Sequence, residues 1–246
     1  MLRSLNGMKG FKLGATDGEL GEVMDFYFDD SRWTVRYLVA DTRRWLPGRR
    51  VLISPAALGE PSWEEGLIPV NLTKDQVKHA PDVDTDKPLA RQKEAELARH
   101  YSWPEWWGMV PAALPGLQAP KHEKTAIEDP SQWPVDTHLR SLSEVTGYAV
   151  QARDERIGKL KDLMAQTDSW VIRYFVVDVK TWRPGGEVLL SPAWVERIDW
   201  NESSLVTGMT ANELRESPPF SHADGVNRDY EEALHEHLGR EKYWHG

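Results

Sequence analysis

The chain has no cysteine among its 246 residues. Disulfides, thiolate metal sites and cysteine nucleophiles are thereby excluded, and a reducing compartment suits the composition. No run of about 18 apolar residues occurs, so no bilayer-spanning helix is expected. Residues 1–7 lack the apolar core of a signal peptide; cytoplasm is the expected location. The motifs G-x-x-x-x-G-K-[ST], G-x-G-x-x-G and H-E-x-x-H are all missing. Positive charge is in short supply, with 30 Lys and Arg against 39 Asp and Glu and a net charge of −9. Such a balance disfavours a broad nucleic-acid footprint, which needs a basic surface to displace counterions from phosphates. Arg43, Arg44, Arg49 and Arg50 form one local basic group.

The histidines are scattered. On a predicted helix His235 and His237 stand two positions apart, where side chains diverge, so they make a poor chelate. His100 and His237 match between the two halves and are expected as helix-end caps or packing groups. With no ligand spacing for a metal and no acid pair whose setting raises a pKa, neither a cofactor nor catalysis is expected.

What is present is a repeat at one constant offset, which carries Leu2 onto Leu139. Residues 33–41, 45–48 and 51–56 return at 170–178, 182–185 and 188–193. Leu2-Arg3-Ser4-Leu5 returns unchanged as Leu139-Arg140-Ser141-Leu142. Asp17, Gly21 and Asp25 return as Asp154, Gly158 and Asp162, and the register holds to Trp107 and Trp244. The expected domains are a first repeat over 1–108 (barrel about 1–80), a Pro-rich linker over 109–137, and a second repeat over 138–246 (barrel about 138–217).

Within each repeat the leading part is β-rich. Asp17-Gly18 marks a tight hairpin, and residues 33–41 have the β-branched and aromatic content that strands favour. Five or six short strands at this spacing suggest a small closed barrel. Thr73 and Thr210 are expected helix N-caps, the latter with Glu213 at the capping-box position. Residues 88–101 read as a helix with Pro88 early in it. The expected class is mainly β with α-helical tails, as two tandem small barrels related by internal duplication.

Alternation along the central strand puts Tyr37, Val39 and Asp41 on one face and Arg36, Leu38 and Ala40 on the other. Tyr174 and Asp178 oppose Arg173, Phe175 and Val177 in the second repeat. Both faces are largely apolar, so one needs a cover. The repeat's own helix is one candidate; the other repeat, in a pseudo-twofold pairing of the barrels, is favoured slightly. Arg36 and Arg173 need acidic partners in such surroundings, and Asp25 or Asp41, and Asp162 or Asp178, are the repeated acids available. A ligand-binding arginine is the minority reading. Trp45 and Trp182 either fold back onto their own domain or stand out as anchors for a protein partner; folding back is favoured. Trp103, Trp106, Trp107 and Trp244 form an aromatic tail that offers a further contact surface or packs on a barrel.

Ala15-Thr16-Asp17-Gly18-Glu19-Leu20-Gly21, Arg36-Tyr37-Leu38-Val39-Ala40-Asp41, Val51-Leu52-Ile53-Ser54-Pro55 and their second-half counterparts resemble the PRC-barrel family. The second copy departs from the first at Gln151 and Glu155, where the first has Gly14 and Gly18. The resemblance implies a tandem PRC-type scaffold without shared catalytic residues: an adaptor for an unidentified protein partner, with a homo-oligomer as a further option. The alternatives are an RNA-processing or ribosome-associated factor and a small-ligand-binding protein.

Overall fold

A computed structural model describes residues 1–47, 49–81, 91–103, 138–179, 186–221 and 225–244. The linker 109–137 and Trp106, Trp107 and Trp182 lie outside the described residues. The chain is mainly β. It begins with β1 (Leu2–Ser4), α1 (Leu5–Met8), β2 (Lys12–Ala15), β3 (Gly18–Asp29), β4 (Thr34–Asp41) and β5 (Arg50–Ile53). A 3-10 turn at Pro55–Ala57, β6 (Leu67–Pro69), α2 (Lys74–Lys78) and α3 (Arg91–Tyr101) follow. The same order then recurs: β7 (Leu139–Ser141), α4 (Leu142–Val145), β8 (Ala149–Gln151), β9 (Arg156–Gln166), β10 (Ile172–Asp178) and β11 (Glu187–Leu190). It ends with a 3-10 turn at Pro192–Trp194, β12 (Val195–Asp199), β13 (Ser204–Thr207), α5 (Ala211–Arg215) and α6 (Arg228–His237).

Two mixed sheets result. One runs β5-β4-β3-β2-β6 and the other β11-β10-β9-β8-β13-β12. The β2–β6 and β8–β13 pairs are parallel and the remainder of each path is antiparallel. Each path has two ends, and no pairing among the described strands joins them, so the closed barrels expected from the strand spacing are not formed. The strand paths end at β6 and at β12, and beyond β6 Ser62 and Leu58 add isolated antiparallel bridges to Leu67 and Val70.

The compact units do not divide at the linker. Among the described residues, 1–7 group with those from 142 onwards, and those from 8 to 103 group with 138–141. The reason is an exchange of leading strands. β1 pairs with β9, Leu2 opposite Gln166 and Ser4 opposite Met164. β7 pairs with β3, Leu139 opposite Asp29 and Ser141 opposite Tyr27. The first strand of each half of the chain therefore completes the sheet built by later strands of the other half.

Local chemistry accounts for several elements. Thr73 caps α2 in a capping box with Gln76, and Thr210 caps α5 with Glu213. Asp17 in the first hairpin accepts the Lys74 N–H at 2.8 Å, and Asp154 accepts that of Ala211 at 2.8 Å. A carboxylate at a helix N-terminus is favourable, and this second bond is the main reason the Asp154 carboxyl is held below its usual range. The second hairpin keeps its turn despite Glu155: Ala152 N–H donates to Glu155 O at 2.8 Å. Trp33 and Trp170 do not start their strands but sit in the turns before them, at φ 52° and 56°, donating N–H to Asp29 O and Gln166 O.

Candidate functional site

The polar chemistry of each sheet concentrates where the central strand meets the C-terminal helix of its unit. Between Tyr27/Tyr37 and Phe28/Val35 the β3–β4 ladder slips by one residue, leaving Arg36 as an extra residue of β4. The β9–β10 ladder slips in the same way at Arg173. A bulge interrupts the strict alternation of faces and re-aims a side chain. Arg36 and Tyr37 consequently reach one carboxylate, Glu94 of α3, rather than opposite sides of the sheet.

Glu94 is fully buried, and Arg36 donates to it through Nη2. Asp29 stands 3.5 Å from Arg36 Nη1. Burial, and next the charge of Glu94, push the Tyr37 hydroxyl above its ordinary range, so Tyr37 stays protonated. Arg36 has acidic partners, but neither Asp25 nor Asp41 is among those that the ion pairs place on it. Asp25 pairs with Lys9 at 3.1 Å, and Asp41 is bound by Arg43. Hydrogen bonds from the Arg43 side chain, opposed by partial burial, hold the Asp41 carboxyl below its usual range.

The second unit repeats the plan with different chemistry. Glu231 of α6, the repeat counterpart of Glu94, is buried beside Tyr174. It accepts from the Tyr174 hydroxyl at 3.1 Å and the Tyr243 hydroxyl at 2.6 Å, and pairs with Arg228 at 3.1 Å. Arg173 donates to Gln166 Oε1 at 3.1 Å and lies 4.2 Å from the centre of the Tyr243 ring. Neither contact involves Asp162 or Asp178. Asp162 instead accepts from Ser4 Oγ and from Asn6 N at 2.9 Å. The face carrying Arg173 and Tyr174 is thus met by the unit's own helix, one of the two covers the sequence allowed. Leu38, Phe175 and Val177 are buried as well.

His235, which the sequence did not single out as a site residue, completes the α6 cluster. Its Nε2 is 2.9 Å from the Tyr174 hydroxyl and its Nδ1 is 2.8 Å from Glu241 O. Trp194 and Trp244 meet its ring edge-on, at 5.0 and 5.1 Å between centres. Burial outweighs the hydrogen bonds to the backbone, and Lys242 and Arg228 add repulsion, so its pKa lies below that of a free histidine. The unfolded chain takes up its proton near pH 6.5, whereas the folded chain resists it. Between that pH and the lower folded value the unfolded state holds more protons, so stability is expected to fall as pH falls through this window. Urea midpoints measured from pH 8 to 5 should decline more steeply for the wild type than for His235→Ala, whose side chain is the one at the matching position, Ala98. Parallel curves would remove His235 as the cause.

Trp45, Trp103 and Trp244 each pack against neighbouring groups of the chain. Trp45 donates its indole N–H to Leu20 O at 2.6 Å, with the Lys74 ammonium 4.7 Å from its ring centre. Trp103 stacks on Tyr101 at 4.2 Å, and Trp244 lies against the Arg228 guanidinium at 4.1 Å. All three are half-buried. His100 and His237 each reach a carbonyl of the preceding short helix, at Gln76 and Glu213.

One cavity, of about 490 Å³, opens at the N-terminus of α6. Leu2, Arg3, Gln166, Asn227, Arg228 and Tyr243 are among its lining residues. Among the described residues no group of three or more His, Asp or Glu is placed to hold a metal ion, and no helix is long and apolar enough to cross a membrane.

Glu94 and Glu231 had a signal in the sequence, since they occupy matching positions in the tail register. What the sequence lacked was any indication that the bulge would point Arg36 at Glu94 of α3 and take Arg173 to Gln166 and Tyr243.

The family model of the PRC-barrel domain matches residues 138–206, which run from the start of the exchanged strand β7 into β13. Those residues carry a PRC-barrel domain. No curated protein matches the chain.

Proposed function

We propose that the chain is a non-catalytic adaptor, in which a second PRC-type repeat over the first half accompanies the domain at 138–206 and both arose by internal duplication. The observation that carries the adaptor reading is the open edge at β12. Val195–Asp199 ends the sheet path, and Glu196 and Arg197 are exposed on it. Among the described residues no strand pairs with its outer side. An edge of this kind accepts an extended segment of a partner by strand addition, with backbone hydrogen bonds supplying affinity. Its short length and two charged side chains favour a selective partner over indiscriminate edge pairing. The same proposal places the protein in the cytoplasm.

Affinity purification with the intact chain tests this reading. Arg197→Glu reverses one of the two exposed charges on this edge without touching its ladder to β13, so it sets like charge against the added strand, and is expected to deplete specifically bound proteins while far-UV circular dichroism is unchanged. An identical bound set for both proteins defeats the edge as the contact surface.

A second reading, small-ligand binding, is favoured by the cavity at α6. Its volume of about 490 Å³ falls within the range usual for small-molecule sites, roughly 300–1,000 Å³. Arg3 and Arg228 beside a helix N-terminus suit an anionic group. A ligand screen in which no anionic compound raises the melting temperature disposes of it.

A further inference from the structure

Two identical tetrapeptides occupy two matching docking positions, each supplied by the other repeat. Leu2-Arg3-Ser4-Leu5 lies along β9 and Leu139-Arg140-Ser141-Leu142 begins along β3, and every Cα pairing in one ladder has its counterpart in the other at the repeat offset. Their backbone anchors match too: Thr167 N donates to Met1 O at 3.0 Å, and Asp30 N to His138 O at 2.9 Å. On β9 the segment is read by side chains as well. Leu2 and Leu5 are buried, Ser4 Oγ donates to Asp162, and Asn6 bonds Asp162 Oδ1 and Lys161 O at 2.9 and 2.7 Å.

We propose that the β9 edge from Met164 to Gln166 is a docking site for the leading segment of a second copy of this chain. The site recognises an extended Leu-Arg-Ser-Leu followed by a polar residue, and nothing in that recognition depends on the segment belonging to the same molecule. Only three residues pair along β1, a short ladder. Within one chain the tether keeps the segment at high local concentration, so self-docking dominates in dilute solution. When segments are released together at high protein concentration, docking between copies competes and gives a strand-exchanged dimer. This inference stands apart from the adaptor reading, because its partner is the chain itself and its site is β9 rather than β12.

The absence of native cysteine makes a cross-link test clean. Arg3 and Ala165 are Cα partners across the β1–β9 ladder. The full chain carrying both R3C and A165C is expected to form an internal disulfide and remain monomeric. Two full chains, one with R3C and one with A165C, are then unfolded in urea, refolded together over a range of concentrations and oxidised. A mixed disulfide dimer is expected, its fraction rising about tenfold for a tenfold rise in concentration while dimer is the minor species. Asp162→Ala in the acceptor chain should diminish it. If the internal disulfide forms but the mixture yields no R3C–A165C dimer at any concentration, docking of a second copy is refuted. If the doubly substituted chain folds without forming the internal disulfide, the docking site itself is refuted. In both cases the binding of other proteins at β12 is left untouched.

Discussion

Glu94→Gln lowers the unfolding free energy by about 3 kcal/mol, near the lower end of the range for breaking a buried ion pair. Glutamine preserves the shape of the side chain, so packing is retained and the loss is electrostatic. Arg36 cannot shed its proton and has a side-chain exposure of only 4%. Without the glutamate charge it remains buried as a cation, with Asp29 at 3.5 Å offering partial compensation. Tyr37 also exchanges a charged acceptor for a neutral one. The matching change Glu231→Gln is expected to cost less, about 1–3 kcal/mol for weakened hydrogen bonds to a charged group. Arg173 retains Gln166 and the face of Tyr243. Urea denaturation of the two variants checks the ordering: a loss below about 1 kcal/mol for Glu94→Gln, or a larger one for Glu231→Gln, contradicts it.

Gly158→Ala costs about 3 kcal/mol or more, beyond the usual range for an overpacked methyl group. A Cβ at this position would lie 2.0 Å from Asp178 O and 3.0 Å from its carbonyl carbon. Those are backbone atoms of a strand paired on both sides, Asp178 opposite both Lys159 and Glu187, and they cannot rotate aside as a side chain would. Gly21 meets the same obstacle, with Asp41 O at 2.1 Å, and adds a φ of +143°. Gly14 supplies the control. Its added Cβ would meet only the end of the Leu67 side chain at 3.4 Å, so Gly14→Ala should stay within about 1 kcal/mol of wild type. Thermal unfolding that ranks Gly14→Ala with Gly158→Ala would show that the close approach of β3 to β4 and of β9 to β10 is not what these glycines serve.

Both predictions concern positions that the repeat made visible in different degrees. Gly21 and Gly158 were legible as a pair, but the carbonyl pressed against each belongs to a neighbouring strand and appears only in three dimensions. For Arg36 and Arg173 the need for partners was legible from burial, whereas the choice among acids was not. The nearest repeated aspartates were plausible by proximity along the chain. The bulge redirected Arg36 towards a helix 58 residues away in sequence, and Asp162 was committed to the exchanged strand.

By itself the sequence determined the features that depend on short-range chemistry: β-rich leading parts, tight hairpins after Ala15 and Ala152, threonine-capped short helices and buried central strands. Tertiary structure alone decided that the sheets stay open, that the glutamates of the terminal helices meet the bulged central strands, and that the leading strands are exchanged. Local signals act within a turn or a strand, where the competing conformations are few. Which distant surface a segment joins is a competition among near-equal partners. Two identical Leu-Arg-Ser-Leu segments carry no information to settle it, so chain connectivity and the packing of whole elements decide.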